Sequence, residues 1–158
     1  MSSLSVIEMY AGIGPDGKSV AEKLQVRVRD DDACQLVRSP AFVKGLASGD
    51  IVKLDKESGQ FELIQRGGNL CIRVYSKADI RPVAELLTPK LEKLGGDLDI
   101  ETPRMLVFSI HVSCGFETIE AILNEGMREG SQWLYSNVYS QEDGQTPLNW
   151  WQDILKPQ

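Results

Sequence analysis

The sequence is poor in the residue types that most often carry out chemistry. It contains one histidine, His111, and three cysteines, Cys34, Cys71 and Cys114, in 158 residues. The cysteines are odd in number and widely separated, and they lack the spacing of a zinc site or a redox pair. We therefore expect reduced thiols that pack as small apolar residues, with no metal and no cofactor.

Long apolar runs and basic segments are also missing. No stretch approaches the about 20 apolar residues of a membrane span, and the N-terminus lacks the basic segment and apolar run of a signal peptide. The net charge is −6 and the pI is about 4.8. Because nucleic-acid binding depends on neutralising phosphates, the sequence predicts a cytoplasmic protein whose partners are neither nucleic acid nor membrane.

One short stretch matches a known catalytic motif. Gly12–Ser19 fits the phosphate-binding pattern G-x-x-x-x-G-K-[ST], in which Gly17, Lys18 and Ser19 would hold a phosphate. A true phosphate loop leads into a helix of several turns, whereas residues 25–29 alternate strictly between polar and apolar types, which is typical of a strand. The Pro-Asp-Gly sequence before the lysine favours a turn. We interpret the octet as a hairpin loop, with nucleotide hydrolysis as the alternative.

The two halves of the chain differ in their patterns. Residues 1–67 contain short strand-like runs separated by turns, which predicts a small antiparallel β-barrel or sandwich. Residues 68–158 follow the order strand, helix, strand, strand, helix, strand, which is that of a ferredoxin-like βαββαβ sandwich, and end in a tail with two tryptophans. The predicted class is α+β with two small domains, and we expect the tail to pack on its own domain.

Alternation along the strands of the second half defines a sheet face that points away from the helices. This face combines aromatic and polar side chains, which suits a pocket with a few convergent polar groups. The ligand-binding candidates expected on it are Arg73, Tyr75, Ser109, His111, Trp133, Tyr135 and Asn137. The same face also suits packing against the first domain, and the two interpretations are compatible because pockets often lie at domain junctions.

His111 is the natural candidate for a catalytic residue. A small enzyme using His111 on the open sheet face is therefore one hypothesis. Nucleophilic catalysis also requires a nucleophile and a third group that orients the base, and nothing in the sequence places these. We assign no catalytic residue, and a structural hydrogen bond is the simpler expectation for His111.

A motif in the first half resembles that of an uncharacterised bacterial family. Residues 40–52, PAFVKGLASGDIV, fit the pattern P-x-F-x-x-G-x-A-x-G-D-x-V, and residues 91–95, LEKLG, are similar to a later L-x-x-L-G element. The resemblance covers about residues 26–101. It implies a small bacterial cytosolic protein of a domain-of-unknown-function family, and it assigns no functional residues.

These observations favour a non-catalytic binding or regulatory module. Its ligand, a protein or a small molecule, would lie at the junction between barrel and sheet. Besides the enzyme that uses His111, a second alternative is an immunity-type protein that neutralises a basic toxin. That alternative depends on the acidic charge alone.

Overall fold

The computed structural model describes residues 3–29, 31–140 and 142–155. Within these residues the chain is mostly β, with two antiparallel sheets and few helices. No helix among them combines the length and the apolar content needed to cross a bilayer. The elements are β1 (Ser3–Ile13), β2 (Ser19–Val28), β3 (Cys34–Leu36), β4 (Ile51–Leu54), β5 (Phe61–Gln65), β6 (Asn69–Ser76), α1 (Arg81–Lys93), β7 (Asp97–Thr102), β8 (Met105–His111), α2 (Phe116–Gly126), β9 (Ser131–Tyr135) and α3 (Trp151–Ile154).

The first sheet is antiparallel, as predicted, but of the predicted barrel or sandwich the described residues form no closed barrel. Its strands pair in chain order from β1 to β5, all antiparallel. One backbone hydrogen bond, from Tyr10 N to Gly59 O at 2.8 Å, brings the turn before β5 close to β1. No ladder joins β1 to β5 in the described part of the chain. Strands β3 to β5, of three to five residues, are too short to line the whole of β1.

The second sheet has the strand order β7-β8-β6-β9 and is antiparallel throughout. Alternate residues of its central strands face α1 and α2, as expected from the period of two. The fully buried part of this core includes Ile72 of β6, Phe108 of β8, Leu87 of α1 and Leu123 of α2. Among the described residues, strand β9 pairs only with β6 and forms one edge of the sheet.

Residues 38–49, here called the crossing segment, cover the opposite face of the second sheet. Ala41 and Ala47 of this segment pack with Cys71, Met105 and Val107. Small side chains allow its backbone to approach the sheet closely. The face that was expected to be open is therefore partly filled by the crossing segment.

The motif P-x-F-x-x-G-x-A-x-G-D-x-V contains a buried carboxylate, that of Asp50. Asp50 is 0% exposed, and it accepts hydrogen bonds from Ala47 N at 3.0 Å and Gly67 N at 2.9 Å, with Arg66 Nη1 at 3.5 Å. Burial raises the pKa of Asp50, while the two N–H groups and Arg66 lower it. Asp50 thus connects the crossing segment to the link between the two sheets.

Candidate ligand groove along the last strand

The octet Gly12–Ser19 lies in the hairpin between β1 and β2. Gly14 N donates to Lys18 O at 2.8 Å, and Lys18 N donates to the Asp16 carboxylate at 3.1 Å. Strand β2 begins at Ser19. The hairpin interpretation is confirmed by the pairing of the two strands. No helix N-terminus adjoins Gly17, Lys18 and Ser19, so a phosphate there would lack the field that a phosphate loop provides.

His111 lies apart from most of the other candidates. It is the last residue of β8 and pairs with Asn69 at the start of β6. Arg73 lies further along β6, where it pairs with Val107. Its Nδ1 is 2.7 Å from Ser113 Oγ and accepts from Ser113 N at 3.1 Å, which caps the 3₁₀ turn that follows β8. Among the described residues, these contacts give His111 a structural hydrogen bond and no orienting third group.

Ser109 is buried in a network between the crossing segment and the sheet. Its hydroxyl lies 2.5 Å from Ser39 Oγ and donates to the Asp99 carboxylate, which also accepts from Ser39 N at 2.8 Å. Burial raises the pKa of Asp99 above its ordinary value. The hydrogen-bonding groups of Ser109 are therefore used within the protein.

Asn137 is buried and replaces a missing backbone partner of β6. Its Oδ1 accepts from Cys71 N at 3.0 Å, and its Nδ2 donates to Asn69 O at 3.0 Å. This side chain extends the β6–β9 ladder by one step beyond the end of β9. It stabilises the sheet rather than facing a ligand.

The predicted facing of β9 is wrong. Trp133 lies opposite Val74 and Tyr135 opposite Ile72, and directly paired residues point to the same side of a sheet. Both aromatic rings therefore pack in the helix-side core, and Leu134, expected in that core, is 40% exposed on the other face. Three consecutive apolar residues are compatible with either phase of alternation, so the register with β6 decides the facing.

Helix α2 supplies polar partners for both rings. Tyr135 Oη donates to the Glu120 carboxylate at 3.0 Å, and Trp133 Nε1 donates to Asn124 Oδ1 at 2.8 Å. Trp133 and Tyr135 are two residues apart on a strand, a distance of about 6.6 Å. Glu120 and Asn124 are four residues apart on a helix, a distance of about 6 Å, so both hydrogen bonds can form at once. Burial, followed by the Glu120 carboxylate, raises the pKa of Tyr135. The two aromatic side chains are thus held in place.

A groove of about 780 Å³ follows the edge of β9. It brings together four of the predicted site residues, Arg73, Tyr75, Trp133 and Tyr135, and it leaves out Ser109, His111 and Asn137. We call it the β9 groove; its lining consists of Lys44, Arg73, Tyr75, Glu120, Gln132, Trp133, Leu134, Tyr135, Ser136, Tyr139, Ser140 and Gly144. Sequence reasoning missed Lys44 and Glu120 because their positions depend on contacts between distant segments.

The outer edge of β9 carries unpaired backbone groups. Ser136 N donates to Cys71 O at 2.9 Å, so these two opposed residues form a hydrogen-bonded pair. Hydrogen-bonded and non-hydrogen-bonded pairs alternate along an antiparallel ladder. Tyr135 with Ile72, and Trp133 with Val74, are therefore non-hydrogen-bonded pairs. The N–H and C=O groups of Trp133 and Tyr135 therefore point away from β6. In the described part of the chain, no backbone group from another strand or loop pairs with them.

Arg73 places a buried positive charge at the groove. It is 3% exposed, and its Nη2 donates to Pro40 O at 3.1 Å and to Val43 O at 2.5 Å. Both acceptors are neutral carbonyls, and Nε has no partner. No carboxylate among the described residues forms a salt bridge with Arg73. The exposed Lys44 adds a second positive charge beside it.

The described part of the tail (residues 140 and 142–155) packs on its own domain, as expected. Trp150 Nε1 donates to Asn137 O at 2.8 Å, and the ring of Trp150 lies 5.4 Å from the Arg66 guanidinium. Trp151 meets Phe116 edge to face at 5.1 Å between ring centroids. Tyr139, directly before the tail, forms one end of the β9 groove.

Comparisons with known proteins identify a family and a fold. Residues 22–134 match the model of a family described as a domain of unknown function, DUF4265. A solved structure described as a "novel crystal structure of a hypothetical protein from Neisseria gonorrhoeae" is similar, with a TM-score of 0.65 and 18% identity over 86% of this chain and 94% of that chain. No curated protein matches the chain. At this identity the likeness shows the fold alone.

Proposed function

We propose that this chain, which belongs to the DUF4265 family, is a non-catalytic binding module whose ligand, a protein segment or a small molecule, lies in the β9 groove. The observation that carries the proposal is the composition of the groove. It combines the aromatic residues Tyr75, Trp133 and Tyr135 with the positive charges of Arg73 and Lys44. Apolar and aromatic walls with a few polar groups are typical of ligand sites.

The position of the groove supports a regulatory role. Gly45 N of the crossing segment donates to Ser136 O at 2.8 Å, which places Lys44 against the end of β9. A ligand in the groove would therefore touch both halves of the chain. Binding of this kind stabilises the folded state in which the two halves are held together.

The ferredoxin-like description of the second half is part of this proposal. Its support is the βαββαβ order together with the strand order β7-β8-β6-β9. On that view β9 is an edge strand, and edges of open sheets are common sites of association. The enzyme alternative receives less support because His111 contacts Ser113 and lies outside the β9 groove.

Two matched variants test the proposal. Leu134, 40% exposed, lines the groove, whereas Ile64, 47% exposed, lies on β5 of the first sheet. We expect proteins and metabolites that are retained by the wild-type chain and by the Ile64→Arg variant to be lost by Leu134→Arg. Affinity capture and thermal-shift screening provide the readouts. Ligands that bind all three chains equally, or no ligand in either screen, would rule out the groove as the site.

A further inference from the structure

We infer that the β9 groove binds an extended peptide segment of a partner protein, which adds a strand to β9 and places an acidic side chain beside Arg73 and Lys44. This inference rests on the proposed function and names the class of ligand. Three features of the groove point to this ligand: the free backbone of β9, the uncharged sequence of that edge and the positive charge of Arg73 and Lys44.

The backbone geometry selects an extended chain. Trp133 and Tyr135 present N–H and C=O groups that point away from β6. The backbone groups of Trp133 lie about 6.6 Å from those of Tyr135. An extended peptide repeats its own donors and acceptors at that spacing, so it satisfies both sets at once. A compact small molecule would have to supply matching donors and acceptors across the same length.

The groove lies along the edge of the sheet, not on one face. Tyr75 and Leu134 line it from the face covered by the crossing segment, and Glu120 lines it from the helix side. A ligand in the groove would therefore contact side chains from both faces of the sheet and lie directly beside the free edge of β9. Added strands occupy the same position in β-strand addition.

The edge of β9 lacks the usual protection against pairing. Natural edge strands are commonly blocked by proline, by lysine or by bulges. Residues 132–135, Gln-Trp-Leu-Tyr, contain no proline and no charge, and the β6–β9 register runs without a bulge. The edge of β1, by comparison, is partly covered where Tyr10 N bonds to Gly59 O.

The charge of the groove selects an acidic side chain. The Arg73 guanidinium is buried and meets neutral carbonyls, while its Nε is unpartnered. A buried charge without a counter-charge is costly, and a carboxylate would form charge-assisted hydrogen bonds with it. Arg73 lies opposite Leu134, so the acidic residue of the peptide should point to that face. Its sequence neighbours should then point towards Trp133 and Glu120.

Selection from random peptides tests the inference with the full chain. A phage-displayed library of seven-residue peptides is panned against the wild-type chain, with Leu134→Glu, which places a competing carboxylate opposite Arg73, as the counter-selection. Synthetic versions are then measured by fluorescence anisotropy, each with a single backbone amide N-methylated in turn. We expect affinity to fall roughly tenfold or more at alternate positions and little at the positions between them, because only alternate amides face β9.

Charge variants provide the second arm of the test. The selected peptides should share an acidic residue, and replacing it by alanine should weaken binding. Lys44→Glu should weaken binding about tenfold, because the charge reversal replaces attraction to the acidic residue by repulsion, whereas the exposed Lys53→Glu on β4 should not. Circular dichroism confirms that each variant is folded, and Lys44, as an exposed residue, is not needed for the core.

The outcomes separate this inference from the proposed function. Peptides that are lost in Leu134→Glu but show no alternation on N-methylation would overturn strand addition and leave the groove as a binding site. Small molecules, but no peptides, that are sensitive to Leu134→Arg would do the same. If no ligand of either kind depends on Leu134, both proposals are wrong.

Discussion

Glu22 and Arg73 hold opposite sides of the same short piece of the crossing segment. The Glu22 carboxylate accepts from the N–H groups of Ala41, Phe42 and Val43 at 2.7, 2.9 and 2.9 Å. Arg73 donates to the carbonyls of Pro40 and Val43 from the other sheet. The carboxylate of Glu22 on β2 thus binds the N–H groups of the crossing segment, and the guanidinium of Arg73 on β6 binds its carbonyl groups. These contacts also position Lys44 beside the groove.

Glu22→Gln should destabilise the protein by about 1–3 kcal/mol. Both carboxylate oxygens accept hydrogen bonds, whereas the amide offers one oxygen and directs an NH₂ group at backbone donors. Urea unfolding measures the change, and Glu62→Gln on the exposed side of β5 provides the control. The control should remain within about 0.5 kcal/mol of the wild type. Equal effects of the two substitutions would mean that the three N–H contacts carry no stability.

Leu134 and Tyr135 point to opposite faces of the sheet, so substitutions at these adjacent positions should differ in their effect on stability. Tyr135→Ala removes a ring from the helix-side core and should cost about 3–5 kcal/mol. Leu134→Arg extends from an exposed position, so its cost, which includes repulsion from Arg73 directly opposite, should be about 1 kcal/mol or less. Chemical denaturation of both variants gives the comparison. A larger loss of stability in Leu134→Arg than in Tyr135→Ala would mean that Leu134, and not Tyr135, lies in the core, as alternation alone predicts.

Gly68→Ala should be destabilising, and His111 should be part of the reason. Gly68 has φ +101°, and a Cβ there would lie 2.6 Å from His111 Nε2. We expect a loss of about 1–3 kcal/mol, the usual cost of such backbone strain. Part of the loss should disappear in the Gly68→Ala/His111→Ala double variant, because the steric contact is then gone. A double-mutant cycle measures this coupling, and additive effects would show that the ring and the glycine are independent.

Asp99 should make stability depend on pH in a defined direction. Burial raises the folded-state pKa of Asp99 above its unfolded value, which is about 3.9 for aspartate. Its contribution is therefore fully present below the unfolded pKa and is lost as the pH rises through the folded pKa. Asp99→Asn removes the titration and should reduce the loss of stability between acidic and neutral pH.

Denaturation at a series of pH values tests the role of Asp99. The exposed Asp153→Asn serves as the matched control, and its profile should follow that of the wild type. Asp50 titrates in all three chains, so it does not disturb the comparison. An Asp99→Asn profile identical to the wild-type profile would show that the Ser39–Ser109–Asp99 network makes no pH-dependent contribution.

Local patterns predicted most of the secondary structure. Turn residues and strand alternation located the β1–β2 hairpin, and the predicted order of strands and helices in residues 68–158 matches β6 to β9 with α1 and α2. These signals act over a few residues. The closed barrel was wrong because closure depends on how short strands of the first sheet match the long β1, which local patterns do not encode.

The lining of the β9 groove was predicted only in part, because its geometry depends on long-range contacts. The run Trp133-Leu134-Tyr135 has no unique alternation, so only the register with β6 shows which rings face the helices. Glu22 contacts Ala41 across 19 residues, and Arg73 contacts Pro40 across 33. No motif records these pairs, although together they shape one wall of the groove.

The most direct test of the β9 groove as the ligand site is a ¹H–¹⁵N NMR screen of the wild-type chain against mixtures of fragments and short peptides. The account predicts that chemical-shift changes concentrate at Lys44, Trp133, Leu134 and Tyr135 and disappear in the Leu134→Arg variant. Changes that concentrate around His111 or on the first sheet, and that persist in Leu134→Arg, would contradict it.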